Sequence, residues 1–97
     1  NNLNNIFNLE NLEKIYNHFG LENQAAKLRE ELTELDIELK DPTLDKNILA
    51  GEMADVLILV YQLAVGHVEV DRLVRNVEFK MQRILRRIET GFYEKEE

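Results

Sequence analysis

The chain contains no cysteine, a single proline and four glycines among 97 residues. Without cysteine there is no disulfide, thiolate zinc site, iron–sulfur cluster or cysteine nucleophile. Two histidines are too few for a multi-histidine centre, so a metal would have to be held by oxygen. So little proline and glycine argues against an all-β chain built on many tight turns. The longest uncharged apolar run, Val56 to Val68, contains Gln62 and His67 and falls short of the roughly 18 residues of a membrane span. The Asn-rich start offers neither the basic nor the apolar region of an export signal. The cytoplasm is the expected compartment, and no membrane partner is expected.

What is present is a core's worth of apolar residues, 44%, with a large charged fraction, 32%. That balance predicts one folded domain over residues 1–97 with solvated helix faces. The net charge of −7 repels phosphate at long range, so nucleic acid is not an expected partner. The charge is unevenly placed. From Arg72 to Arg87 six basic residues accompany one acid, giving this stretch +5 and the remainder −12.

The periodicity predicts four helices and no strands. The first runs from about Leu9 to Phe19, with Asn8 as N-cap and Gly20 as the left-handed terminator. The second runs from about Glu22 to Lys40, with Leu28, Leu32, Leu35 and Leu39 as its expected buried stripe and Asp41-Pro42 as its stop. The third spans about Asp45 to Val65, capped by Thr43 or Asp45, and the fourth about Asp71 to Thr90, with Asp71 as N-cap and Gly91 as C′. Short connections between four helices predict a four-helix bundle. The third helix is apolar nearly all round, so it is expected at the centre and also against a second subunit.

Two acids interrupt that apolar helix. Glu52 and Asp55 are three residues apart and share a face. On the second helix Glu31, Glu34 and Glu38 fall within about 60° of one another, flanking the leucine stripe. Carboxylates beside a core lose hydration, and like charges about 4 Å apart repel by about 4 kcal/mol at an effective dielectric of 20. A hard divalent cation such as Mg²⁺ relieves both problems, and paired ions can activate water and neutralise phosphate. Exposed glutamate runs also occur purely for solubility, and that reading suits Glu30 and Glu38 better than Glu52 and Asp55.

Glu30-Glu31-Leu32-Thr33-Glu34, followed after 17 intervening residues by Glu52-Met53-Ala54-Asp55, resembles the E-E-x-x-E … E-x-x-D signature of the MazG-like all-α nucleoside triphosphate pyrophosphohydrolases. The apolar continuation Val56 to Leu63 is similar to the same family's third helix. The resemblance implies an α-helical bundle assembled as a homodimer or homotetramer. It implies Mg²⁺-dependent hydrolysis of a nucleoside triphosphate between the α and β phosphates, with Mn²⁺ as a possible substitute. Carried over by position, Glu31, Glu34, Glu52 and Asp55 would be metal ligands. Glu30, Glu31 and Glu34 would be the catalytic acids, Glu30 standing beside the site, and a carboxylate would deprotonate the attacking water.

On the fourth helix Asn76, Lys80, Arg83 and Arg87 also fall within about 60°, beside the stripe of Leu73, Val77, Ile84 and Ile88. Lys80, Arg83 and Arg87 are the expected phosphate contacts; a solvated or dipole-favoured basic row is the plainer alternative. Ile84 and Leu85 stand where some family members carry an Asn. Phe7, Ile15 and Phe19 read as core or subunit contact, with stacking on a base as the lesser alternative; Tyr61 reads as a buried tyrosine with one satisfied hydroxyl before a nucleobase-pocket residue, and His18 and His67 read as surface residues. Phe92 and Tyr93 either cover a neighbouring site or anchor the tail. Two other functions compete with the general triphosphate reaction. One is phosphoribosyl-ATP pyrophosphohydrolase chemistry; the other is a non-catalytic helical interaction module.

Overall fold

Asn8 accepts the Asn11 amide on its side chain at 3.1 Å and starts helix α1, Leu9–Phe19. Gly20, at φ +83°, ends α1 and begins α2, Leu21–Lys40, a junction that a side chain would strain. Asp45 caps α3, Lys46–His67, by accepting the amides of Asn47 and Ile48. Helix α4, Val70–Glu89, follows after two residues. Glu69, not Asp71, occupies its N-cap and makes no side-chain capping bond. Asp71 lies in the first turn, where its charge faces the helix dipole without closing a cap. Gly91, at φ +72°, terminates α4. The computed structural model describes residues 7–93, and among them all regular structure is helical. The last four residues of the tail lie outside that range.

The α2–α3 connection is a tight reversal. Pro42 follows Asp41, whose carboxylate accepts the Thr43 amide at 2.9 Å and the Thr43 hydroxyl at 2.7 Å. The Leu44 amide closes the turn on the Asp41 carbonyl at 3.2 Å, with Leu44 itself at φ +42°. α2 and α3 therefore run antiparallel. As α2 advances seven residues from Gln24 to Glu31, α3 retreats seven from Gln62 to Asp55; three more bring Glu34 level with Glu52.

α3 is the central helix and touches α1, α2 and α4. Its buried residues are Leu59, Tyr61, Gln62 and Ala64, all in its second half; Ile48 and Met53 in the first half are exposed. Phe7 stacks on Tyr61 with ring centres 4.3 Å apart, which makes Tyr61 part of the core rather than of a cleft. α1 comes so close to α3 that a Cβ on Gly66 would stand 2.6 Å from the Tyr16 ring. Beside it the Tyr16 hydroxyl and His67 Nε2 are hydrogen-bonded, so His67 fastens α1 to the end of α3. With a mean hydropathy of 1.8 over 18 residues, α3 is long and apolar enough to cross a membrane. The shorter run from Val56 to Val68 understated it, because that count stops at Asp55.

Two expectations about packing change. The leucine stripe of α2 faces inward only in part: Leu28 and Leu35 are half-buried, Leu32 and Leu39 are exposed, and the fully buried residues are Gln24 and Glu31. α4 rests on α3 alone and buries no residue, so one chain does not close the fourth wall of a bundle. The molecule is correspondingly extended. Its radius of gyration is 16.1 Å, against about 12.5 Å for a compact chain of this length. Its accessible surface is 7669 Å², against about 5,800 Å² for a compact monomer of this mass.

Candidate active site

The antiparallel register brings Glu31 of α2 level with Glu52 and Asp55 of α3. One carboxylate oxygen from each lies within 4.8 Å of the others. Glu31 is buried, Glu52 half-buried and Asp55 exposed, so the cluster grades from the helix interface to solvent. Glu31 is 6% exposed, a costly position for a charge. Its Oε2 and the Oε2 of Glu52 are shielded from solvent and meet no donor. Orphaned anionic oxygens of this kind lack either a proton or a cation.

Glu34 stands one turn along from Glu31, exposed at the rim. Its pKa is raised above the usual carboxylate value. The first cause is hydrogen bonding with Glu31, followed by the Glu31 charge, burial and the Glu52 charge, with Lys27 opposing. Two carboxylates can hydrogen-bond only by holding a proton between them. The raised value thus reports the same crowding as the orphaned oxygens.

Lys27 is a cation that the sequence reading missed. Its ammonium lies 3.3 Å from Glu31 and 3.5 Å from Glu30, and both carboxylates raise its pKa, with the hydrogen bond to Glu31 foremost. The signal was legible, since Lys27 precedes Glu31 by four residues and so shares its face. Glu30 is drawn to Lys27 at the surface and takes no part in the three-carboxylate cluster. The doublet splits because neighbours in a helix point about 100° apart.

A cleft of about 600 Å³ opens beside the cluster. Glu31, Asp55 and Lys27 stand at one end; Asn23, Gln24 and Gln62 supply amides; Ile15 and Phe19 of α1 and Ile58 and Leu59 of α3 form apolar walls. The amides were also unforeseen. Gln24 and Gln62 each lie seven residues from a cluster acid, which puts them on the same helix faces two turns away.

The basic residues of α4 are elsewhere. Among the described residues no ion pair joins α4 to the carboxylates. Lys80 is exposed. Arg83 is half-buried, with its guanidinium carbon 5.9 Å from the Phe79 ring centre and its Nε buried without an acceptor. Arg87 lies over Phe92 at 4.7 Å, and Phe92 meets Tyr93 edge-on.

The donors fit a hard divalent cation. They are all carboxylate oxygens and they converge within one coordination sphere's width; Glu31 and Glu52 each keep one buried oxygen without a donor, while the other oxygen of Glu31 meets Lys27. Glu31, Glu52 and Asp55 would hold the ion; Glu34, also expected as a ligand, neighbours Glu31 but lies outside this converging group. No family model, curated protein or solved structure matches this chain.

Proposed function

We propose that the chain is a Mg²⁺-dependent nucleoside triphosphate pyrophosphohydrolase, converting a nucleoside triphosphate to the monophosphate and pyrophosphate. The observation that carries this reading is the convergence of Glu31, Glu52 and Asp55, two with orphaned oxygens, beside a cleft of about 600 Å³ that Glu31 and Asp55 line. The bound cation would supply charge neutralisation at the phosphates and acidify a water. The residues do the rest. Glu34, whose pKa is raised beside Glu31, is suited to accept the proton of the attacking water. Lys27 offers a mobile positive charge at the same end of the cleft, able to leave Glu30 and follow a phosphate oxygen.

A homo-oligomer belongs to this reading. The excess of about 1,900 Å² over a compact monomer equals what one subunit of an obligate homodimer commonly buries. The exposed apolar residues of α4, such as Val77, Ile84 and Ile88, face the same way and need a partner. Such packing gives the basic row of Lys80, Arg83 and Arg87 a route to a neighbour's carboxylates, and through them to phosphate. The same exposed stripe is the observation that favours the competing reading, a non-catalytic interaction module.

Pyrophosphate release separates them. The assay compares ribo- and deoxynucleoside triphosphates and phosphoribosyl-ATP, with and without Mg²⁺, in the wild type and Glu52→Gln. Metal-dependent release that vanishes in the variant supports the enzyme, and the best substrate decides between the two pyrophosphohydrolase reactions. A folded protein that releases nothing from any of them leaves the interaction module.

A further inference from the structure

The buried end of the cleft is made of two amides, and this is chemically odd. Gln24 and Gln62 are 6% and 2% exposed, and Gln24 Nε2 donates to Gln62 Oε1 at 2.6 Å. Each primary amide carries two N–H donors and two acceptor lone pairs. One shared bond leaves most of that capacity unused, in a place where apolar residues would pack at lower cost. No other hydrogen bond to either side chain is formed among the described residues. Among the described residues the buried, partnerless side-chain atoms are Glu31 Oε2, Glu52 Oε2 and Arg83 Nε. Gln24 Oε1 and Gln62 Nε2 are not among them, and both residues line the cleft.

The mutual bond does more than hold the helices together. It fixes the sense of both amides, leaving Gln24 Oε1 as an acceptor and Gln62 Nε2 as a donor with no partner among the described residues. A planar ring whose edge carries a neighbouring donor and acceptor completes both at once, as in paired-amide recognition of base edges generally. Ile15 and Phe19 on one side and Ile58 and Leu59 on the other offer the apolar faces such a ring needs. The spacing also fits. The amides lie seven residues from Glu31 and Asp55 on both helices, about 10 Å along the axis, and a nucleoside spans that gap between its 5′-phosphate and the outer edge of its base.

We infer that the Gln24–Gln62 amide pair is the nucleobase subsite, reading an edge with adjacent donor and acceptor while the phosphates lie at the carboxylate end. This rests on the nucleotide reading above, but its test does not require turnover. The 97-residue ¹⁵N-labelled chain is titrated, without metal, with nucleoside 5′-monophosphates and, separately, with ribose 5-phosphate, which has no base. The readout is the side-chain NH₂ resonances of Gln24 and Gln62, assigned by their loss in Gln24→Met and Gln62→Met. Both amides should shift saturably with at least one monophosphate and stay still with ribose 5-phosphate. Gln62→Met should weaken that monophosphate's binding about 10- to 100-fold. Amides that do not respond, or that respond equally to ribose 5-phosphate, overturn the inference. So does a Gln62→Met that binds as the wild type does. If the Met variants fail to fold, the pair is assigned through its contacts across the α2–α3 interface, and the wild-type response decides. Responding amides without triphosphate turnover would leave the subsite standing and remove the reaction. Turnover with silent amides would do the reverse, and neither signal would remove both.

Discussion

Neutralising one member of the carboxylate cluster should stabilise the metal-free protein, and Glu52→Gln is the sharpest way to do it. Glu52 lies between buried Glu31 and exposed Asp55, with ligand oxygens within 4.8 Å. A like-charge pair at that separation costs about 3.5 kcal/mol at an effective dielectric of 20 and about 0.9 kcal/mol in bulk water. The Glu31–Glu52 pair belongs nearer the first figure and the Glu52–Asp55 pair nearer the second. Side chains can relax apart, so a net gain of about 1–3 kcal/mol is expected. For a chain of this size each kcal/mol moves the melting temperature by about 4–8 °C. Saturating Mg²⁺ should act in the opposite order, since a ligand at a hundred times its Kd stabilises by about 2.7 kcal/mol and the variant has lost a ligand. Thermal melts of both proteins with and without Mg²⁺ are the assay. The variant should melt higher than the wild type in chelator, and Mg²⁺ should raise the wild type much more than the variant. A variant that melts at or below the wild type in chelator, with a wild type indifferent to Mg²⁺, would refute the electrostatic reasoning together with the metal site.

Three further outcomes are expected. The raised pKa of Glu34 means that the folded chain keeps a proton the unfolded chain has released. Its stabilisation is full below the unfolded carboxylate pKa and is lost as pH rises through the folded value. Melting temperature against pH should therefore fall over that window in chelator, and Glu34→Gln should remove the fall. Asp41, lowered by the Thr43 hydroxyl and then by the Thr43 amide, acts with the other sign, losing its contribution as pH falls through its folded value. Gly66→Ala should cost about 1–3 kcal/mol by denaturant titration, because the new Cβ meets the Tyr16 ring; an unchanged midpoint would mean that α1 can simply move away. Ile84→Asp touches a side chain that is 45% exposed in the single chain, so a monomer should lose less than about 0.5 kcal/mol. An oligomer should instead dissociate, and light scattering reads the difference as mass.

The elements were legible because their signals are local. Asn8, Gly20, Asp45 and Gly91 each act through their own backbone or the next turn, and all four mark helix ends where expected. Asp71 misled because an acid in the first turn and an acid at the cap look alike two residues apart. The leucine stripe misled for a deeper reason. Periodicity tells which residues share a face, not which chain covers it, and Leu32 and Leu39 share a face that this chain leaves open. The cluster of Glu31, Glu52 and Asp55 was readable from acids set against apolar runs. Lys27, Gln24 and Gln62 were not, because a lysine or glutamine at the edge of a polar face carries no mark of its own. Their positions acquire meaning only once the antiparallel register says what lies opposite.

That register behaves as a ruler with fixed graduations. The two ends of the cleft are separated by seven residues on α2 and by seven on α3, so their distance is set by helix rise and not by any loop. The chemistry at either end can be exchanged one side chain at a time, as a different amide or a different acid, and the span between them stays the same. The span itself has no small adjustments. One residue inserted between Gln24 and Glu31 turns Glu31 by about 100° away from Asp55, and only whole turns added to both helices together would keep the two ends in one cleft. A protein built this way can change what it recognises readily, but it can change the length of what it recognises only in steps of a helical turn.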